Sequence, residues 1–146
     1  MELLIWLVSF IILFCLSVPL HEGSHVLAIR ILGGKHGKIT WFTINFSARG
    51  ITFGRVSGTG RNGDEFSFPA LSEKYLKVVA LWCGFAGGLG SAIILAQPAW
   101  YFLLNPLPDP LSSLWRSFLL VSVIQFINGI GEGIFAVKTA QLIAGK

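Results

Sequence analysis

Two histidines four residues apart, with a glutamate between them, close an apolar run that begins at Leu3: His21-Glu22-Gly23-Ser24-His25. Residues four apart share a helix face about 6 Å from one another, so His21 and His25 can aim ring nitrogens at one ion while Glu22 flanks the same spot. A catalytic zinc has this arrangement. It takes three protein ligands and keeps a fourth position for water, whose pKa falls to about 7, and a carboxylate beside it accepts the proton. The spacing therefore points to Zn2+ as cofactor, His21 and His25 as ligands and Glu22 as base. Chance gives H-E-x-x-H in roughly one sequence in five hundred of this composition. The alternatives are a pair of buried histidines bonded to neighbouring carbonyls, or a structural metal without chemistry. Ionisable groups at membrane depth favour function over both.

The elements that must hold these groups are membrane helices. The chain has 146 residues, 53% of them hydrophobic and 12% charged, with a strongly positive mean hydropathy. This composition reads as one small, mainly α, integral membrane domain. A helix needs about 20 apolar residues to cross a bilayer. Three stretches qualify: 3–31, 78–100 and 114–137. The first has no positive residue ahead of it and is too long for a cleavable signal peptide, so it is expected to stay in the bilayer.

Eight of the eleven Lys and Arg lie between Arg30 and Lys77, whereas the stretch from Gln97 to Trp115 carries none. The positive-inside rule then places the N-terminus outside and the C-terminus in the cytoplasm. Trp6, Trp100, Tyr101 and Trp115 would belt the outer interface, and Trp41, Tyr75 and Trp82 the inner one. The basic residues follow topology and face lipid headgroups, so the lipid bilayer is the expected partner and no nucleic acid is. Cys15 and Cys83 fall in apolar spans and have no assigned role.

Pro19 removes a helix donor one turn before the motif, either opening a wet cavity or making an ordinary kink. After Gly33-Gly34 the period changes. Lys38 to Phe46 and Ile51 to Val56 read as a β-hairpin over about 38–56, which either pairs with an extended substrate chain or packs on the membrane surface. The second span holds Gly84, Gly87, Gly88, Gly90, Ser91 and Ala92, small residues that let helix backbones approach closely. The same residues could instead help form a substrate groove.

A zinc needs a third protein ligand. Glu132 is the carboxylate besides Glu22 that lies within a span. It sits six residues before Lys138, as His25 sits five before Arg30, so the two are at matching depth. His36, Asp109 and an unfilled position are the alternatives. Asn128, one turn before Glu132 with Gln125 a further turn up, gives that helix a polar stripe toward the bundle interior. Asn128 could bond Glu132, polarise a substrate carbonyl or bridge to water.

These residues resemble the site-2 protease family of intramembrane zinc metalloproteases, whose core is three transmembrane helices. The resemblance implies that Glu22 is the catalytic base and that His21 and His25 are metal ligands. It also implies that the last ligand lies in an Asp-Gly preceded by an Asn, a place taken here by Asn128 and Glu132-Gly133. The family's G-P-x-x-N pattern on the middle helix matches here in Gly87 alone, with Gly88 and Ser91 in place of proline and asparagine. The expected function is a zinc endopeptidase in a prokaryotic plasma membrane, cutting membrane-protein or membrane-peptide substrates near the cytoplasmic side, with Asn128 binding substrate. An inactive zinc-binding relative that holds clients or serves as an accessory subunit is the alternative. A metal carrier would need oligomerisation, and the sequence does not set the oligomeric state.

Overall fold

The computed structural model describes the backbone of residues 2–33 and 73–144, together with isolated extended stretches of two or three residues between Lys35 and Ser67; side chains are described for 2–33, 75 and 77–138. The fold is three long helices, α1 (Glu2–Ile31), α2 (Glu73–Leu104) and α3 (Leu114–Ala144). Each is long and apolar enough to cross a membrane, over Glu2–Ile31, Lys77–Leu104 and Leu114–Lys138, as an integral membrane protein requires. The expected spans 3–31, 78–100 and 114–137 all fall within these helices. The hairpin expected over 38–56 lies partly outside the described residues, which exclude 48–49 at its turn and all its side chains, and it is not supported there.

Helix ends follow from local chemistry. Gly33, at φ 76°, takes the left-handed conformation that stops α1, and its N–H donates to the Arg30 carbonyl at 3.0 Å. At the end of α2, the backbone and side-chain N–H groups of Asn105 both donate to the Tyr101 carbonyl. Prolines 106, 108 and 110 prevent the helix from continuing. α1 remains a continuous helix through Pro19, so the loosening expected there amounts to the single donor that proline lacks.

Large apolar side chains such as Leu3, Ile12, Leu27, Leu81, Ile94 and Ile127 point outward, a surface that lipid solvates and water would not. Inside, Leu13, Leu95 and Val121, one from each helix, pack with Phe10, Phe14, Leu20 and Phe118. The Ser117 hydroxyl donates to the Trp6 carbonyl at 3.2 Å, and the Phe102 and Phe118 rings lie 6.0 Å apart. These contacts bring Trp6, Trp100, Tyr101 and Trp115 to one end of the bundle.

α2 and α3 meet backbone to backbone along a glycine seam. A Cβ at Gly84 would lie 2.8 Å from the Glu132 carbonyl oxygen, one at Gly129 would lie 2.8 Å from the Gly88 Cα, and one at Gly88 would overlap the backbone of Gln125 and Gly129. The Ser122 hydroxyl crosses the same seam to the Ala92 carbonyl at 2.8 Å. The small residues of the second span therefore face two ways: Gly84 and Gly88 toward α3, Gly87 and Gly90 toward His21, Ser24 and His25 on α1. Gly88→Ala is expected to cost about 1–3 kcal/mol by overpacking. Gly131→Ala, where a Cβ meets nothing within 4 Å, should leave stability unchanged or raise it. Unfolding midpoints of the two detergent-solubilised variants check the pair.

Candidate metal centre

Because α1 turns once per 3.6 residues, His21 and His25 project from one face, and the bundle turns that face toward α3. His21 Nε2 lies 2.8 Å from Glu132 Oε2, His25 Nε2 lies 3.2 Å from the same oxygen, and the two Nε2 atoms are 3.1 Å apart. An ion at ordinary zinc bond lengths holds tetrahedral donors about 3.3 Å apart, so the three atoms form a slightly contracted face of such a polyhedron. His21, His25 and Glu132 form a group that could hold a metal ion. The carboxylate that depth matching along the sequence selects, Glu132, is the one that lies beside the two histidines.

Hydrogen bonds fix what these atoms offer. His25 Nδ1 lies 2.6 Å from the Cys83 carbonyl oxygen. A carbonyl only accepts, so Nδ1 carries the proton and Nε2 presents a bare lone pair. His21 Nδ1 likewise donates to Gln125 Oε1 at 2.9 Å. Two lone pairs and a carboxylate oxygen thus converge at 2.8–3.2 Å, an arrangement that repels itself unless a cation sits among them. That cation is a metal ion, or a proton that turns one ring into an imidazolium paired with Glu132. Two imidazoles and one carboxylate are a donor set suited to a first-row divalent ion.

The surroundings tie the group to all three helices. Asn128 Nδ2 donates to Glu132 Oε1 at 3.1 Å, holding the carboxylate so that its other oxygen faces the histidines. Of the three uses open to Asn128, bonding to Glu132 is the one observed. On α2, a methyl group at Gly87 would overlap His25 Nε2 and lie 2.7 Å from His21 Nε2, so bare backbone covers that side of the histidines. Ser24 donates to the Leu20 carbonyl at 2.8 Å and faces Gly90. Glu22, next to His21, is buried, with 6% of its surface exposed, and stands outside the ligand triad. Glu132 keeps 37% of its side chain exposed against 5% for His21, so the group opens on the α3 side.

One alternative ligand stays apart from this group. Asp109 lies in the α2–α3 connection, where its Oδ1 accepts from the Ser112 hydroxyl at 2.6 Å. The His36 side chain lies outside the described residues. Three contributors carry weak sequence signals or none. Gln125 is visible only as part of the polar stripe, the Cys83 carbonyl has no side-chain signature, and Gly87 looks like any other small residue of its span. A comparison of the chain with known protein families, curated proteins and solved structures finds no match.

Proposed function

We propose that this protein is an intramembrane zinc metalloendopeptidase, similar to the site-2 protease family, that hydrolyses peptide bonds in or near transmembrane segments. The observation that carries this reading is the convergence of His21, His25 and Glu132 on one point inside an apolar bundle, with Glu22 of the H-E-x-x-H motif next to His21 in the chain. A zinc ion held by these three side chains would supply Lewis acidity, polarising a carbonyl and acidifying a water. Glu22 takes the proton of the attacking water and passes it to the leaving amine. Asn128 is exposed and uses one N–H on Glu132, and its second N–H is suited to a substrate carbonyl. Helical peptides engage their own carbonyls, so substrate must unwind locally, and segments that form weak helices should be preferred. With the basic residues inside, the site lies toward the cytoplasmic face of a prokaryotic plasma membrane, the N-terminus outside.

One observation favours a second reading, a zinc-binding relative that holds membrane clients without cutting them. Ser91 stands where the resemblance would place an asparagine for substrate. It is fully buried and its hydroxyl lies 2.8 Å from the Gly87 carbonyl and 3.1 Å from that of Gly88. It turns back onto its own helix.

Purified protein in liposomes with a labelled transmembrane peptide tests both readings. About one zinc per chain is expected in wild type and almost none in His21→Ala, and cleavage should stop on chelation and return with zinc. Stoichiometric zinc without cleavage of any membrane peptide would favour the client-binding reading, and a wild type that takes up no divalent metal would remove both.

A further inference from the structure

Glu132 and the two histidines can act as a donor set only while both Nε2 atoms are free of protons. For His25 the backbone secures this, since the Cys83 carbonyl has no other role than acceptor. His21 instead rests on a side-chain amide, which in principle can present either its oxygen or its nitrogen. What decides is one step further away, across the interface between α1 and α3.

Ser17 has a single hydroxyl proton, and its Oγ lies 2.6 Å from the Phe14 carbonyl of its own helix. With that proton committed, Ser17 Oγ can only accept from Gln125, whose Nε2 lies 2.6 Å away. The amide nitrogen must then face Ser17, its oxygen must face His21, and the proton on His21 must sit on Nδ1 at 2.9 Å from Oε1. Turn the amide over and each link fails. Oxygen would meet Ser17 Oγ, the amide hydrogens would meet His21 Nδ1, and the imidazole proton would move to Nε2, into the point where the ligands converge. Ser17, His21 and Gln125 are 0%, 4% and 5% exposed, so water is not at hand to replace a lost partner, and a buried unpaired donor is costly.

We propose that Gln125 is the positioning residue of the metal centre, and that Ser17 is its anchor: the relay from the Phe14 carbonyl through Ser17 and Gln125 sets the tautomer of His21 and so keeps Nε2 available to the ion. The proposal rests on the metal reading above for its purpose, but the tautomer can be measured without metal. The relay also ties α1 to α3 by the same atoms that prepare the ligand, so the helix pair must be docked before His21 is in its binding form.

The test has two arms. In metal-free protein in micelles at alkaline pH, nitrogen NMR of labelled histidine, with His21 assigned by difference against His21→Ala, should show His21 protonated on Nδ1 in wild type. In Ser17→Ala a substantial fraction should move to Nε2. In the second arm, zinc affinity is titrated against a competing chelator. Loss of an outer partner of a ligating histidine typically costs 10–100-fold, and Gln125→Leu should fall in that range. Gln125→Glu, whose carboxylate can accept from both His21 Nδ1 and the Ser17 hydroxyl, should come back to near wild type.

A wild-type His21 protonated on Nε2, or a Gln125→Leu protein with undiminished affinity, overturns the proposal. So does a Gln125→Glu protein as weak as Gln125→Leu, because an acceptor of the same shape in the same place would then have failed to restore the site. If Gln125→Leu fails to fold, Ser17→Ala and Gln125→Glu still decide. If wild type binds no metal but His21 holds its Nδ1 proton and loses it in Ser17→Ala, the relay stands and the metal reading falls.

Discussion

Glu22→Gln is expected to abolish hydrolysis while zinc content stays at the wild-type value. The amide has the shape of the carboxylate, so the packing around this buried residue is preserved, and the three ligand atoms belong to other residues. What is lost is the proton acceptor next to His21. A positioned general base contributes about 10²–10⁴-fold to rate, so on the proposed reading turnover of a transmembrane peptide should fall below detection. Rates on a transmembrane peptide, measured beside zinc per chain for both proteins, give the answer. Full activity in the variant would remove Glu22 from the reaction, whereas equal loss of zinc and activity would reassign it to holding the metal.

The second large effect is expected at a residue with no side chain. Gly87→Ala should reduce zinc from about one per chain to almost none. The added methyl group would overlap His25 Nε2 and lie 2.7 Å from His21 Nε2. Neither ring can step aside cheaply, since the Cys83 carbonyl holds one and Gln125 holds the other through their Nδ1 atoms. Alanine is a better helix former than glycine by roughly 1 kcal/mol, so α2 itself should survive. Zinc analysis together with helix content by circular dichroism separates loss of the site from loss of the fold. A Gly87→Ala protein that keeps a full equivalent of zinc would show that α2 yields at this point.

Much of this arrangement was legible in the sequence because membrane physics writes in long strokes. Apolar runs mark the three candidate membrane spans to within four residues at each end, since a bilayer demands length. H-E-x-x-H declares its own geometry, because positions four apart meet whenever the chain is helical. Glu132 could be paired with His25 because both lie a similar distance from the basic residues Lys138 and Arg30. Rotation of one helix about its axis is another matter. That Gly88 faces α3 while its neighbour Gly87 faces the histidines depends on where each backbone can approach most closely, and a list of small residues does not encode it. Gln125 shows the same limit. Its place on the polar stripe is readable, but its partnership with Ser17 and His21 requires α1 and α3 to be set side by side. The Cys83 carbonyl belongs to the backbone, which every residue type shares.

The glycine seam has a consequence for how this molecule responds to its surroundings. It joins α2 to α3 through main chain, whereas α1 is met through side chains: His25 on the Cys83 carbonyl, Ser17 on Gln125, and Ser117 reaching the Trp6 carbonyl. Two of the three candidate ligands ride on α1 and the third on α3. A captured ion would therefore clasp a separately held helix onto a prewelded pair, and scarcity of that ion would be felt first as slack in the architecture.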